Sequence, residues 1–124
     1  MLIATAQAAA GLLGPLFASW EGEVVAALHL GGGRRLLAVT VDEAGGRSEV
    51  ELPVRSILQR ALRLGALAII VAHNHPSGDP DPSEADRAAT RTLADAAAKV
   101  GIRLHDHLIF GGGEWRSFRA LGLL

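Results

Sequence analysis

The chain has 124 residues, 49% of them hydrophobic, which is ample for one core and points to a single domain covering 1–124. Twelve Lys and Arg against thirteen Asp and Glu leave a formal charge of −1, so no overall positive field favours nucleic acid, although a local patch stays open. The absence of Cys removes disulfides and thiol chemistry, and it fits a cytoplasmic protein.

In chain order, Met1 to Trp20 is apolar enough to raise a signal peptide or a membrane span. It lacks a basic leader, is interrupted by Gly11, Gly14 and Pro15, and falls short of a span of about 20 unbroken apolar residues. A short packed helix over 4–18 is expected instead, with Leu12, Leu13, Leu16 and Phe17 at helical spacing. Glu23 to Leu30 reads as a buried strand, and Gly31 to Arg35 turn it into a second, Leu36 to Asp42, making a hairpin. A turn at Ala44 to Arg47 leads to a short strand at Ser48 to Leu52. From Pro53, Val54, Ile57, Leu58, Ala61, Leu62 and Leu64 mark an amphipathic helix that stops at Gly65. Leu67 to Ala72 is almost purely apolar, as a central strand covered on both faces must be. Ser83 to Val100 forms a second amphipathic helix ended by Gly101, Ile102 to Phe110 a last long strand, and Trp115 to Phe118 a short return. No repeat, linker or low-complexity tract interrupts the chain. A mixed α/β sheet flanked by helices is the expected fold class.

The rest is organised around Ala72 to Asp86, which joins the apolar strand to the helix after it. His73 and His75 lie two apart, so at an extended strand end both imidazoles face one side. Pro76, Pro80, Pro82 and Gly78 stiffen the turn, and Asp86 enters the first turn of the next helix, where its carboxylate can swing back toward the histidines. Three N/O ligands with a fourth position left to water is the pattern of catalytic zinc. Taken alone, each piece has a plainer role: Ser83-x-x-Asp86 is also a capping box, and a His-x-His can simply be surface.

Together, His73-Asn74-His75-Pro76 followed at this spacing by Ser83-x-x-Asp86 resembles the JAMM motif of the JAB/MPN metalloprotease domains. The wording His-Asn-His-Pro-Ser-Gly-Asp-Pro is similar to the RadC branch in particular, and the likeness runs on through Gly101 to Leu104 and Asp106 to Ile109 to Ser117-Phe118. The resemblance implies a cytidine-deaminase-like three-layer architecture, with His73, His75 and Asp86 holding Zn2+. It implies that Glu23, at the beginning of an early strand, is the general base, with Glu21 as the near alternative. It also implies that Ser83 donates a hydrogen bond to the oxyanion. Longer relatives in that branch carry an N-terminal helix-hairpin-helix module that is missing here, so the chain is either a fragment or a stand-alone protein.

His105-Asp106-His107 offers a second His-x-His, but neither histidine matches a ligand position of the motif. Asp106 or His107 could orient a ligand histidine from behind or serve the core alone. Asp79 and Asp81 read as loop-forming residues, and His29 as a half-exposed strand residue. Arg34, Arg35, Arg55, Arg60 and Arg63 are the one candidate basic surface, most simply a solvated face.

The leading expectation is a zinc-dependent metallohydrolase acting on a peptide or isopeptide bond of a protein or peptide substrate. The alternative is a DNA repair or recombination accessory module with a structural or nuclease-type metal; neutral charge and the missing module both weaken direct nucleic-acid binding. A metal nuclease would call for a carboxylate-rich site, and the His-x-Glu and Pro-Cys-x-x-Cys signature of zinc deaminases is absent. No membrane association is expected, and the oligomeric state is open.

Overall fold

In the computed structural model residues 1–43 and 52–124 are described. The expected turn at 44–47 and the strand at 48–52 fall outside them except for Leu52, which is buried. Helix α1 (Ala6–Ser19) is capped by Thr5, whose Oγ1 accepts from the Ala8 amide at 3.0 Å. The hairpin strands are β1 (Val24–Leu30) and β2 (Leu36–Glu43); then follow α2 (Val54–Leu64), β3 (Ala68–Asn74), α3 (Glu84–Lys99), β4 (Arg103–Gly111) and β5 (Glu114–Ser117). Gly65, at φ +68, closes α2 where a side chain would be strained.

These strands form one sheet in the order β2-β1-β3-β4-β5. Only β3 and β4 run parallel, because α3 carries the chain back between them; the other pairs are antiparallel. Strand alternation divides the interior in two. Val25, Ala27, Ile69 and Val71 face α2 and α3 and pack with Ile57, Ala61, Leu93 and Ala97. Val24, Ala26, Leu28, Ile70 and Ala72 face the other way, onto Ala9, Ala10, Leu13 and Phe17 of α1. A helix, the sheet and two helices thus make three layers, as expected, and each fully buried Leu or Ile contributes about 1.5–3 kcal/mol.

Two expectations change. His29 is not half-exposed but fully buried, because β1 is flanked by β2 and β3 and covered on both faces; its Nε2 lies 2.9 Å from Thr40 Oγ1. In β4 a bulge interrupts the alternation, since Ile69 pairs with Leu104 but Ile70 with Asp106. Leu104 therefore packs against α2 and α3 while Leu108 packs on the α1 side, although the two are four residues apart.

Candidate metal centre

The centre forms where β3 ends and α3 begins, at the carboxyl edge of a parallel pair, the usual place for a site in an α/β sheet. His73 is the penultimate residue of β3 and lies on the α2/α3 side with Val71. Asn74 closes the strand, and His75 turns away from β1 toward β4, its amide donating to Phe110 O at 2.8 Å.

His73 Nε2 lies 3.1 Å from His75 Nε2 and 3.1 Å from Asp86 Oδ1, and His75 Nε2 lies 3.1 Å from Asp86 Oδ2. The carboxylate serves two purposes at once. Its Oδ2 accepts from the Ser83 amide at 2.8 Å while Ser83 Oγ accepts from the Asp86 amide at 3.0 Å, so the capping box and the convergence on the histidines coexist. Burial alone would raise the Asp86 carboxyl, but its contacts with His73 and with Ser83 outweigh this and hold it well below the usual carboxylate range.

Hydrogen bonding behind each ring decides which nitrogen carries a proton. His75 Nδ1 is 2.7 Å from Asp79 O, a carbonyl that can only accept, so Nδ1 donates and Nε2 is bare. His73 is set by a longer chain. Thr90 donates its single hydroxyl proton to Asp86 O at 2.6 Å, so it must accept from His107 Nδ1, also at 2.6 Å. Burial pushes the His107 imidazole well below its ordinary value, a nearby His73 charge would lower it further, and the ring is neutral. Its Nε2 then accepts from His73 Nδ1 at 2.7 Å, which leaves His73 Nε2 as the nitrogen facing Asp86. Two imidazole Nε2 atoms and a carboxylate thus meet at one point, where a cation can replace the proton they share.

That donor set suits a cation. A tetrahedral ion with ligands at about 2.0–2.1 Å separates neighbouring ligand atoms by about 3.3 Å, close to the observed spacing. Among the described residues, His73, His75 and Asp86 are the group of three or more that could hold a metal ion. The metal identity is not set by these distances.

The other residues singled out in the sequence divide between those beside this set and those away from it. Ser83 caps α3 at the rim, with its hydroxyl proton still available. Pairing of β1 with β3 ends at Val25↔His73, and Glu23 lies two residues beyond that pair; its Oε2 is buried without a hydrogen-bond partner. His107 reaches the ligand set through His73 and stacks on Phe118 with centroids 4.6 Å apart. Asp106 does not orient a ligand histidine: it accepts from the His107 amide at 2.8 Å, Ser117 Oγ at 2.6 Å and the Arg119 amide at 3.0 Å, tying β4 to the chain terminus. His105, at the bulge, answers to Arg34 and Arg119 rather than to the centre. Asp79 and Asp81 serve the loop, as expected, with the Asp81 amide donating to Asp79 Oδ1 at 3.0 Å. Arg60 is paired with Asp42 at 2.7 and 3.0 Å, which takes it out of a basic track.

Thr90 is the residue that sequence reasoning missed. Its signal was there, four positions after Asp86 and so on the same helix face. Beside the centre a cavity of about 280 Å3 is lined by Phe17, Phe110, Trp115, Asn74, His75 and the 111–113 turn. It gives an apolar group a seat next to His75.

Comparison with known proteins agrees with this geometry. A family model described as "RadC-like JAB domain" matches residues 3–123. A UPF0758 protein of Rhodobacter capsulatus is 52% identical over 86 residues, covering 67% of this chain and 40% of the relative. One from Coxiella burnetii is 45% identical over 104 residues, 84% of this chain and 46% of the relative. UPF0758 protein YfjY of Escherichia coli is 43% identical over 118 residues, 95% of this chain and 74% of the relative. The chain thus spans less than half the length of the Rhodobacter and Coxiella relatives, and none of these names states an activity.

Proposed function

This chain belongs to the RadC-like JAB domain family, and on that footing we propose that it is a zinc-dependent hydrolase of peptide or isopeptide bonds. The observation that carries the reading is the meeting of two imidazole Nε2 atoms and a carboxylate at 3.1 Å, with both rings held from behind. His73, His75 and Asp86 would hold the ion. When bound, zinc supplies Lewis acidity, lowering a water's pKa to about 7 and polarising a carbonyl.

The chain's own groups supply the rest. Glu23 takes a proton from the attacking water at a carboxylate oxygen and later passes it to the leaving amine, so the proton count closes over the cycle. Ser83 accepts from the Asp86 amide through a lone pair and donates its hydroxyl proton to the oxyanion, a contact of the kind worth about 10²–10³ in rate. The apolar cavity beside His75 seats a substrate side chain and excludes water there. No helix among the described residues is long and apolar enough to cross a membrane.

Metal analysis joined to a broad peptide and isopeptide panel tests the reading. Expected are one zinc per chain, none in His75→Ala, and retained zinc without hydrolysis in Glu23→Gln. Zinc bound with no turnover on any member of the panel would overturn the hydrolase and leave a binding role.

A further inference from the structure

A gap opens between the strands at the place where the base is needed. β1 and β3 pair from Leu30↔Ala68 up to Val25↔His73, and there their ladder ends, while β3 stays bonded to β4 through the His75 amide and Phe110 O. Glu23 lies beyond the last pair, and Gly22, with φ +82, bends the chain immediately before it. On the β3 side no backbone pair reaches the glutamate, while on the β2 side the ladder runs to Val24↔Glu43, one residue short of it.

The gap is filled by one side chain. Asn74 Oδ1 accepts from the Val24 amide at 2.8 Å, and its Nδ2 donates to Gly22 O at 2.8 Å. Both partners are peptide groups flanking Glu23, fifty-odd positions away in sequence, and one planar carboxamide satisfies both. Asn offers its acceptor and its donor on two separate atoms of one short side chain; Asp lacks the donor, Gln adds a methylene, and a Ser or Thr hydroxyl has both on one atom. Glu23 itself leaves Oε2 buried and unpartnered, so no side-chain hydrogen bond fixes that oxygen and its position depends on the backbone.

We propose that Asn74 is the positioning residue for Glu23, gripping the backbone on both sides of the glutamate and holding its carboxylate in place after β3 has parted from β1. This rests on the assignment of Glu23 as base, and it adds a reason for asparagine between the two histidines. The two histidines point to one face of β3, so the residue between them points to the other and is free to reach across to β1. A misplacement of about 1 Å in a reacting group can cost about 10²-fold in rate, which is what the clamp guards against.

The test reads Glu23 directly. With glutamate side chains labelled with 13C at the carboxyl, the Glu23 resonance is assigned by its absence in Glu23→Gln, and zinc is added to one equivalent. Expected in the unmodified chain is a shift of the Glu23 carboxyl on zinc addition and slow exchange of the Val24 amide. In Asn74→Ala one zinc per chain still binds, the Glu23 shift is lost and the Val24 amide exchanges fast. Asn74→Asp keeps the acceptor and drops the donor, so it retains part of the shift, and it carries the same comparison if Asn74→Ala does not fold. An undiminished Glu23 shift in these variants overturns the inference alone and leaves Glu23 as base. Loss of zinc together with the shift also overturns it, because Asn74 would then act on the ligand set and not on the glutamate. No zinc response of Glu23 in the unmodified chain overturns the base assignment and this inference with it.

Discussion

His73 Nδ1 stands 2.7 Å from His107 Nε2, and both rings are buried. Because Thr90 gives its proton to Asp86 O, the direction of every proton in the chain Asp86–Thr90–His107–His73 follows from one carbonyl that can only accept. Helix α3 therefore supplies both the carboxylate in front of His73 and the hydroxyl that sets the tautomer behind it.

Removing the hydroxyl should loosen the metal without touching a ligand. Thr90→Val keeps the shape and leaves His107 Nδ1 without an acceptor, so zinc affinity should fall by about 10–100-fold, the usual cost of losing support behind a ligand. Thr90→Ser should restore it. Competition against a chelator at fixed pH measures both; equal affinities for all three proteins would break the link between Thr90 and the site.

Metal should stabilise the fold by mass action. At a free zinc concentration 100 times the dissociation constant, the gain is about 2.7 kcal/mol, visible as a higher melting temperature that EDTA reverses. His75→Ala should melt at the same temperature with and without EDTA. An unchanged EDTA effect in that variant would place the stabilising metal elsewhere.

The turn after β4 should be sensitive at one glycine and tolerant at its neighbour. A Cβ on Gly112 would meet Gly78 O at 2.7 Å, with φ already at +60, whereas one on Gly113 meets nothing within 4 Å. Gly112→Ala should cost about 1–3 kcal/mol and weaken zinc binding, because Gly78 belongs to the loop that holds His75. Gly113→Ala carries only the strain of its positive φ and should leave zinc affinity alone. Urea unfolding and zinc titration on the pair decide it.

Acid should destabilise the metal-free chain through His29. Burial, with the Arg60 charge adding to it, lowers this imidazole below 6.5. Between pH 6.5 and that lower value the unfolded state binds a proton that the folded state refuses, so stability is full above 6.5 and falls as the pH drops. The slope from this one group is at most about 1.4 kcal/mol per pH unit. His29→Gln should flatten the curve by that share in urea titrations at pH 7.5, 6.5 and 5.5. A wild-type slope in the variant would assign the proton uptake to another group.

Most of the element order was legible from local pattern. The buried strand at 23–30, the hairpin strand at 36–42, the apolar run at 67–72 and the helical spacing from 54 to 64 each correspond to an element within a residue or two at either end. These signals are short-range, because strand and helix periods repeat within a few residues. The His73, His75 and Asp86 set was legible for the same reason, lying within fourteen positions of chain.

His29 was read less well, and the face that His105 takes in β4 was not legible, for a common cause. Exposure on a strand depends on which strands flank it, and period two fails wherever a bulge shifts the register; neither is written in the neighbouring residues. Asp106 was drawn toward the site by adjacency to His107, yet adjacent strand residues point to opposite faces.

Composition and spacing were enough to announce one α/β domain with two imidazoles and a carboxylate within reach of each other. Folding alone settled what stands behind and beside them: His107 and Thr90 aligning the protons, Asn74 bridging to β1, and Gly78 packed against Gly112. Those contacts join residues from 17 to more than 50 positions apart, so they come into being only when the sheet's register and the placement of α3 bring the segments together.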